Sequence, residues 1–174
     1  MLRTLTFVTA VFAASAAYAD QSRFSPGPAI VIYGNTAEVQ GAAPLPPTAT
    51  FKVAFDVSEA AETGAVNRRL ESAARFLNMH VRAGVPRENI RLAIVVHGGA
   101  ARDLTTSPSE DATNANAALI EALVTSGVDI YLCGQTAAHY DIEQEDLLPG
   151  VRMALSAMTA HALLQQDGYT LNPF

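Results

Sequence analysis

The 174-residue sequence contains one cysteine and no tryptophan, and Lys52 is its only lysine. Seventeen acidic residues face eleven basic ones, and the arginines are scattered along the chain. Nucleic-acid backbones and anionic membrane surfaces are bound by clustered lysine and arginine, and unpaired bases by stacked aromatic side chains. We therefore expect no nucleic-acid partner and no membrane partner.

Motifs for nucleotides, serine hydrolases and metals are missing as well. The Gly98-Gly99 turn is not followed by a GxGxxG or P-loop pattern, and Ser156 lies outside a GxSxG elbow, so we interpret it as a helix N-cap. No CxxC or HxxxH spacing accompanies the cysteine, whereas zinc needs three or four converging ligands. We expect no cofactor and no metal; a metal protein using Cys133 and His97 is the least favoured alternative.

The longest apolar run lies at the N-terminus and is too short to span a membrane, which takes about 20 apolar residues. Arg3 precedes this almost uncharged run (residues 5–17), and an A-x-A cleavage site ends at Ala19. This pattern is typical of a secretory signal. The sequence therefore predicts a signal peptide over residues 1–19, cleavage after Ala19 and export to the periplasm.

Export makes the single cysteine informative, because exported proteins usually carry cysteines in pairs. Cys133 has no second cysteine with which to form an internal disulfide. It is either buried and inert, joined to another molecule, or kept as a reactive thiol. The composition leaves these three alternatives open.

Proline and glycine are concentrated in residues 20–49. We interpret this segment as an arm that lies over the domain or over a neighbouring subunit, with a mobile linker as the alternative, and its one predicted strand is 29–33. Residues 50–174 form the predicted domain, in which strands alternate with helices over short connections. The predicted strands are 51–57, 90–96, 128–132, 151–156 and 169–171, and the predicted helices are 67–83, 114–126, 134–140 and 158–167, with a loop over 98–113. This alternation predicts a three-layer α/β/α domain with a mostly parallel sheet.

Two strand ends carry the candidate chemistry, because ligands of open α/β sheets bind beyond the carboxyl ends of the strands. His97 follows one buried strand and Cys133 follows another, so they share an edge if those strands are neighbours. A thiolate at the start of the next helix is stabilised by unpaired amides and by the helix dipole. Cys133 is the candidate nucleophile and His97 the candidate anion stabiliser. The alternative is that Cys133 is packed as a small buried hydrophobe.

Small and polar residues near these strand ends complete the candidate ligand-binding set. Gly134 would leave room for a second sulfur atom, and His139 would either tune the thiolate or belong to a polar surface turn. His80 and His161 lie within predicted helices and are interpreted as structural. The candidate ligand-binding residues are Gly98, Gly99, Gly134, Gln135 and His139.

Several stretches, in their order along the chain, resemble the DsrE/DsrF-like family and specifically its exported branch. The resemblance covers residues 50–171, and the proline-rich arm is also similar to that of exported members. The stretches are FLNMH (76–80), VVHGGA (95–100), LCGQ (132–135) and ALSAM (154–158) followed by GY (168–169).

The resemblance implies a five-stranded, mostly parallel sheet, assembly into trimers, hexamers or paired complexes, and relay of sulfur as a persulfide on one cysteine. In the cytoplasmic branch that cysteine ends a strand and is followed four residues later by alanine, then by an Arg-Gly-Ile-like stretch. Cys133, Ala137 and Ile142 match this pattern, but the sequence HYD stands at residues 139–141. This difference from the family pattern alters the expected partner-docking surface more than it alters the expected role of the cysteine.

The leading hypothesis is therefore a periplasmic persulfide carrier, sulfurtransferase-like in its chemistry. It would take sulfur from a donor onto Cys133 and pass it to an acceptor protein or small thiol. The alternative is a non-catalytic oligomeric module that binds a small ligand or a protein, with Cys133 only packed. A homo-oligomer, a trimer or a hexamer, is expected in either case.

Overall fold

The computed structural model describes residues 23–106 and 113–172. The predicted signal peptide and its cleavage site after Ala19 lie outside the described residues. Strands and helices alternate along the described domain. They are β1 (Phe51–Val57), α1 (Arg68–Arg82), β2 (Ile90–Val96), α2 (Ala117–Thr125), β3 (Asp129–Cys133), α3 (Gly134–Tyr140), β4 (Val151–Ala154), α4 (Ala157–Gln166) and β5 (Thr170–Asn172).

The five strands form one sheet in the order β4-β3-β2-β1-β5, and every pairing is parallel. Alternate residues of each strand face opposite sides. On one side Phe55 and Ile94 pack in the larger core with α1 and α2, and on the other Ala54 and Val95 pack against Leu164 of α4. The predicted α/β/α architecture is confirmed, and among the described strands the sheet is entirely parallel.

Local sequence explains most element boundaries. β2 is apolar and buried at six of its seven positions, as expected for a central strand of a parallel sheet. The Asn67 side chain caps α1 by accepting from the amides of Arg69 and Leu70, and Ser156 caps α4 by accepting from Thr159 N. The prediction of Ser156 as an N-cap is confirmed. None of the described helices is long and apolar enough to cross a bilayer.

The predicted strand at 29–33 is wrong. This segment runs as a series of bends, and its backbone groups bond to the fully buried side chain of Asn78 instead of to another strand. Asn78 Oδ1 accepts from the amides of Ala29 at 3.0 Å and Ile30 at 2.8 Å, and its Nδ2 donates to three arm carbonyls. One amide side chain thereby satisfies an irregular backbone.

Residues 23–36 of the arm lie along α1. Arg82 donates to the carbonyl of Pro26 at 2.6 Å, and the Glu71 carboxylate accepts from Gly34 N at 3.0 Å. Gly34 has φ +66°, and a Cβ there would collide with the backbone of α1. This part of the arm therefore covers its own domain.

The stretch after His97 differs from the predicted loop, because Gly98–Leu104 forms a 3-10 helix; residues 107–112 lie outside the described part. Helix α2 begins three residues later than predicted, because the side chains of Asn114 and Asn116 form hydrogen bonds to backbone groups outside the helix. Asn114 Nδ2 donates to the carbonyls of Asp103 and Thr105, and Asn116 Oδ1 accepts from a backbone amide at 2.7 Å. Asn114 Oδ1 also accepts from Asn116 N at 2.8 Å, a local bond of the kind by which asparagine competes with helix formation.

Candidate functional site

Cys133 ends β3 and occupies the N-cap position of α3. β2 and β3 are neighbours, with Val96 paired to Leu132, so His97 and Cys133 stand at the next position on each strand. Because the two strands are neighbours, His97 and Cys133 lie at the same edge of the sheet, as predicted. Their chemical roles stay predictions.

The surroundings of the Cys133 sulfur favour a thiolate, although the residue is only 6% exposed. Burial opposes ionisation of the thiol, but hydrogen bonding from Thr136, through its hydroxyl and its amide, and from the amides of Ala157 and Gln135 outweighs it and lowers the pKa. Such bonds stabilise the charged form of a thiol. Two elements contribute them, since Thr136 and Gln135 begin α3 and Ala157 begins α4.

The Thr136 hydroxyl is oriented by a bond from the other strand end. Its Oγ1 accepts from Gly98 N at 3.2 Å. Because this bond occupies a lone pair of the oxygen, the hydroxyl hydrogen remains available to the Cys133 sulfur. Gly98 therefore contributes to the site through its backbone.

The His97 side chain reaches toward β1. Its Nε2 lies 3.2 Å from Asp56 Oδ2, and His161 Nε2 of α4 lies 2.8 Å from Asp56 Oδ1. Burial opposes ionisation of Asp56, but its bonds to His161 and His97 and their charges lower its pKa. We call Asp56, His97 and His161 the His-Asp-His cluster. The groups with the largest effect on the Cys133 pKa do not include His97.

Gly134 has a packing role that the sequence did not predict. A Cβ at this position would lie 2.6 Å from the carbonyl oxygen of Ala154 and 3.1 Å from that of Leu155. The missing side chain therefore lets the start of α3 sit against the end of β4. Its expected role in leaving room for a second sulfur atom stays a prediction.

The remaining candidates lie farther out. Gln135 is exposed, and its side chain donates to the carbonyl of Leu155 at 3.3 Å. Gly99 is exposed and approaches Ala60. His139 is exposed, and its ring packs edge-on against Tyr140 at 4.8 Å. Within the described residues no three His, Cys, Asp or Glu side chains converge as metal ligands.

Four contributors were missed by reasoning from sequence: the Thr136 hydroxyl, the Ala157 amide, Asp56 and His161. Asp56 alone left a signal, as a charged residue inside the otherwise apolar end of strand 51–57. The Asp56–His161 bond joins residues 105 positions apart, which no local pattern predicts.

Comparison with known proteins agrees with this architecture. The chain matches the model of the DsrE/DsrF-like family over residues 52–173. A solved protein of unknown function from Methanobacterium thermoautotrophicum is 22% identical with a TM-score of 0.51, over 70% of this chain and 97% of that one. The ychN protein from E. coli is 15% identical with a TM-score of 0.52, over the same shares of 70% and 97%. At these identities the two structures show the fold alone, and no curated protein matches the chain.

Proposed function

Because the chain belongs to the DsrE/DsrF-like family, which is often related to sulfur relay, we propose that it is a periplasmic persulfide carrier acting through Cys133. The observation that carries the proposal is the group of donors around the sulfur. Thr136 and the amides at the starts of α3 and α4 lower the thiol pKa despite burial. The thiolate is the nucleophilic form of cysteine.

Sulfur uptake and release are two exchanges at the same atom. The Cys133 thiolate attacks the outer sulfur of a persulfide, a polysulfide or thiosulfate; a new S–S bond forms, the donor's S–S bond breaks, and the donor leaves as a thiolate, a shorter polysulfide or sulfite. An acceptor thiolate then attacks the outer sulfur of the Cys133 persulfide, and Cys133 leaves as a thiolate. Each exchange conserves electrons, so no separate oxidant or reductant is needed.

The same donors serve both exchanges. They favour the thiolate that attacks in the first, and they stabilise the thiolate that leaves in the second. The low exposure of Cys133 limits donors to small molecules or to slender groups such as a cysteine persulfide side chain. Positioned hydrogen bonds of this kind are the chemical contribution of the protein.

Sulfur loading tests the proposal directly. Purified protein incubated with polysulfide should gain the mass of one sulfur atom, and a reducing thiol should remove that gain. Because the chain has a single cysteine, Cys133→Ser should show no gain. An unchanged wild-type mass, or an equal gain in Cys133→Ser, contradicts the carrier.

The burial of Cys133 favours one other candidate, a non-catalytic binding module in which the thiol is only packed. In that case a small alkylating reagent reacts with Cys133 only after denaturation. A carrier reacts in the folded state near neutral pH. Timing the alkylation with and without denaturant separates the two functions.

We propose further that the chain works as a homo-oligomer whose interface lies beside the cysteine. Leu155, Met158 and Leu163 are 73%, 79% and 60% exposed, and the Leu155 carbonyl already contacts α3 through Gln135. Exposed apolar side chains grouped in this way are typical of interaction surfaces. Light scattering at micromolar concentration should give the molar mass of a trimer or a hexamer. The Met158→Asp substitution should lower that molar mass by weakening the assembly. A wild-type monomer refutes the assembly.

A further inference from the structure

Helix α4 carries two contacts that lie one turn apart at the carboxyl edge of the sheet. Ala157 supplies an amide to the Cys133 sulfur, and His161 bonds to Asp56 at 2.8 Å. Residues four apart lie on the same side of a helix, and the side chains of Ala157 and His161 both pack toward the sheet. A shift of α4 that displaces His161 would therefore displace the Ala157 amide as well.

The first turn of α4 has little apolar packing of its own. Met158 is 79% exposed and the preceding Leu155 is 73% exposed, so the apolar contact there comes from Ala157, which packs against the cluster of Ala160 and Leu164. The Ser156 cap at 3.0 Å is a bond within the helix start and does not tie it to the sheet. The Asp56–His161 bond adds a polar contact that joins the first half of this helix to the sheet.

Asp56 makes this contact from β1, which is the neighbour of β2 on the side away from β3. Its two carboxylate oxygens bond separately, one to His161 of α4 and the other to His97 at 3.2 Å. The carboxylate thereby joins β1, the end of β2 and α4. Both histidines lower its pKa, so it remains charged over the range in which proteins are usually stable.

We propose that Asp56 and His161 are positioning residues, which hold the start of α4 against the sheet so that the Ala157 amide stays on the Cys133 sulfur. The inference rests on the proposed function, since it concerns the reactivity of the same thiol. Hydrogen bonds weaken steeply with misalignment, so a small shift of the helix start would remove one of the donors that favour the thiolate. Asp56 and His161 thus act through Ala157 and need not touch the transferred sulfur.

The substitution Asp56→Ala, which removes both carboxylate oxygens, separates this role from a simple charge effect. If the carboxylate acted on Cys133 only as a nearby negative charge, its removal would lower the pKa of the thiol. If it anchors α4, its removal raises that pKa because the Ala157 amide is lost from the sulfur. The two explanations predict opposite signs.

The measurement is an NMR titration of protein labelled with ¹³C at the cysteine β-carbon. The chain has one cysteine, so a single resonance reports its ionisation whether or not reagents reach the thiol. The midpoint should move to higher pH in Asp56→Ala and in His161→Leu. It should move less in His161→Gln, whose side-chain amide can still donate to Asp56.

Asp129→Ala is the matched control. Asp129 begins β3, at the end opposite to Cys133, and pairs with Arg152. Its substitution should leave the midpoint within experimental error of wild type. A midpoint that falls or stays unchanged in Asp56→Ala, in protein whose circular dichroism shows an intact fold, overturns the inference. Sulfur loading is a separate measurement, so a failure of the carrier and a failure of the positioning role can be told apart.

Discussion

Asn78→Ala is expected to destabilise the protein by roughly 3–5 kcal/mol and to release residues 23–36 from α1. The Asn78 side chain is fully buried and makes five hydrogen bonds to the arm backbone. A buried polar group that loses its partner costs about 1–3 kcal/mol. The total stays below the sum over five bonds, because the released arm regains hydrogen bonds to water.

Urea denaturation measures the lost free energy of unfolding, and limited proteolysis near Gly27 reports release of the arm. Asn89→Ala is the matched control, since Asn89 makes one side-chain bond, to the carbonyl of Ala49 at 3.3 Å. Its cost should be below about 1 kcal/mol. Equal costs for the two variants, or an arm that resists protease in Asn78→Ala, would show that other contacts hold the arm.

Gly134→Ala is expected to have the largest effect on the site. The new methyl group would lie 2.6 Å and 3.1 Å from two backbone oxygens, which cannot rotate away as a side chain can. Either α3 or the end of β4 must shift, at a cost of about 1–3 kcal/mol. Since α3 and α4 both supply donors to the Cys133 sulfur, the rate of sulfur loading should fall by roughly 10- to 100-fold.

The rate of mass gain with polysulfide checks this result, with denaturation measured in parallel. Gly99→Ala serves as the control, because a Cβ there meets Ala60 N at an ordinary 3.6 Å. It should change stability by less than about 0.5 kcal/mol and leave loading near the wild-type rate. If Gly134→Ala loads sulfur as fast as Gly99→Ala, the close approach of α3 and β4 does not matter for the chemistry.

The sequence predicted the central elements well because burial determines them. The bounds of β1, β2 and α3 agree with the expected residues, since apolar runs and the flanking glycines are local signals. The position of Cys133 at a strand end was predicted for the same reason. The parallel order of β2 and β3 then placed His97 beside it.

The rest depends on contacts between distant parts of the chain. Residues 29–33 have the composition of a strand, yet a single asparagine on α1 takes up their backbone bonds. His161 had no pattern around it to mark Asp56 as its partner. Side-chain hydrogen bonds of this kind are set by the packed structure and leave no periodicity in the sequence.

The attachment of the arm also orders the events of folding. The arm groups bound by Asn78 precede it by 44 to 49 residues, and a loop of that length closes at an entropic cost that only a formed α1 can offset. During synthesis or refolding, we therefore expect residues 23–36 to stay free until α1 has packed. We expect it to dock as a late step of folding, after the helix that holds it.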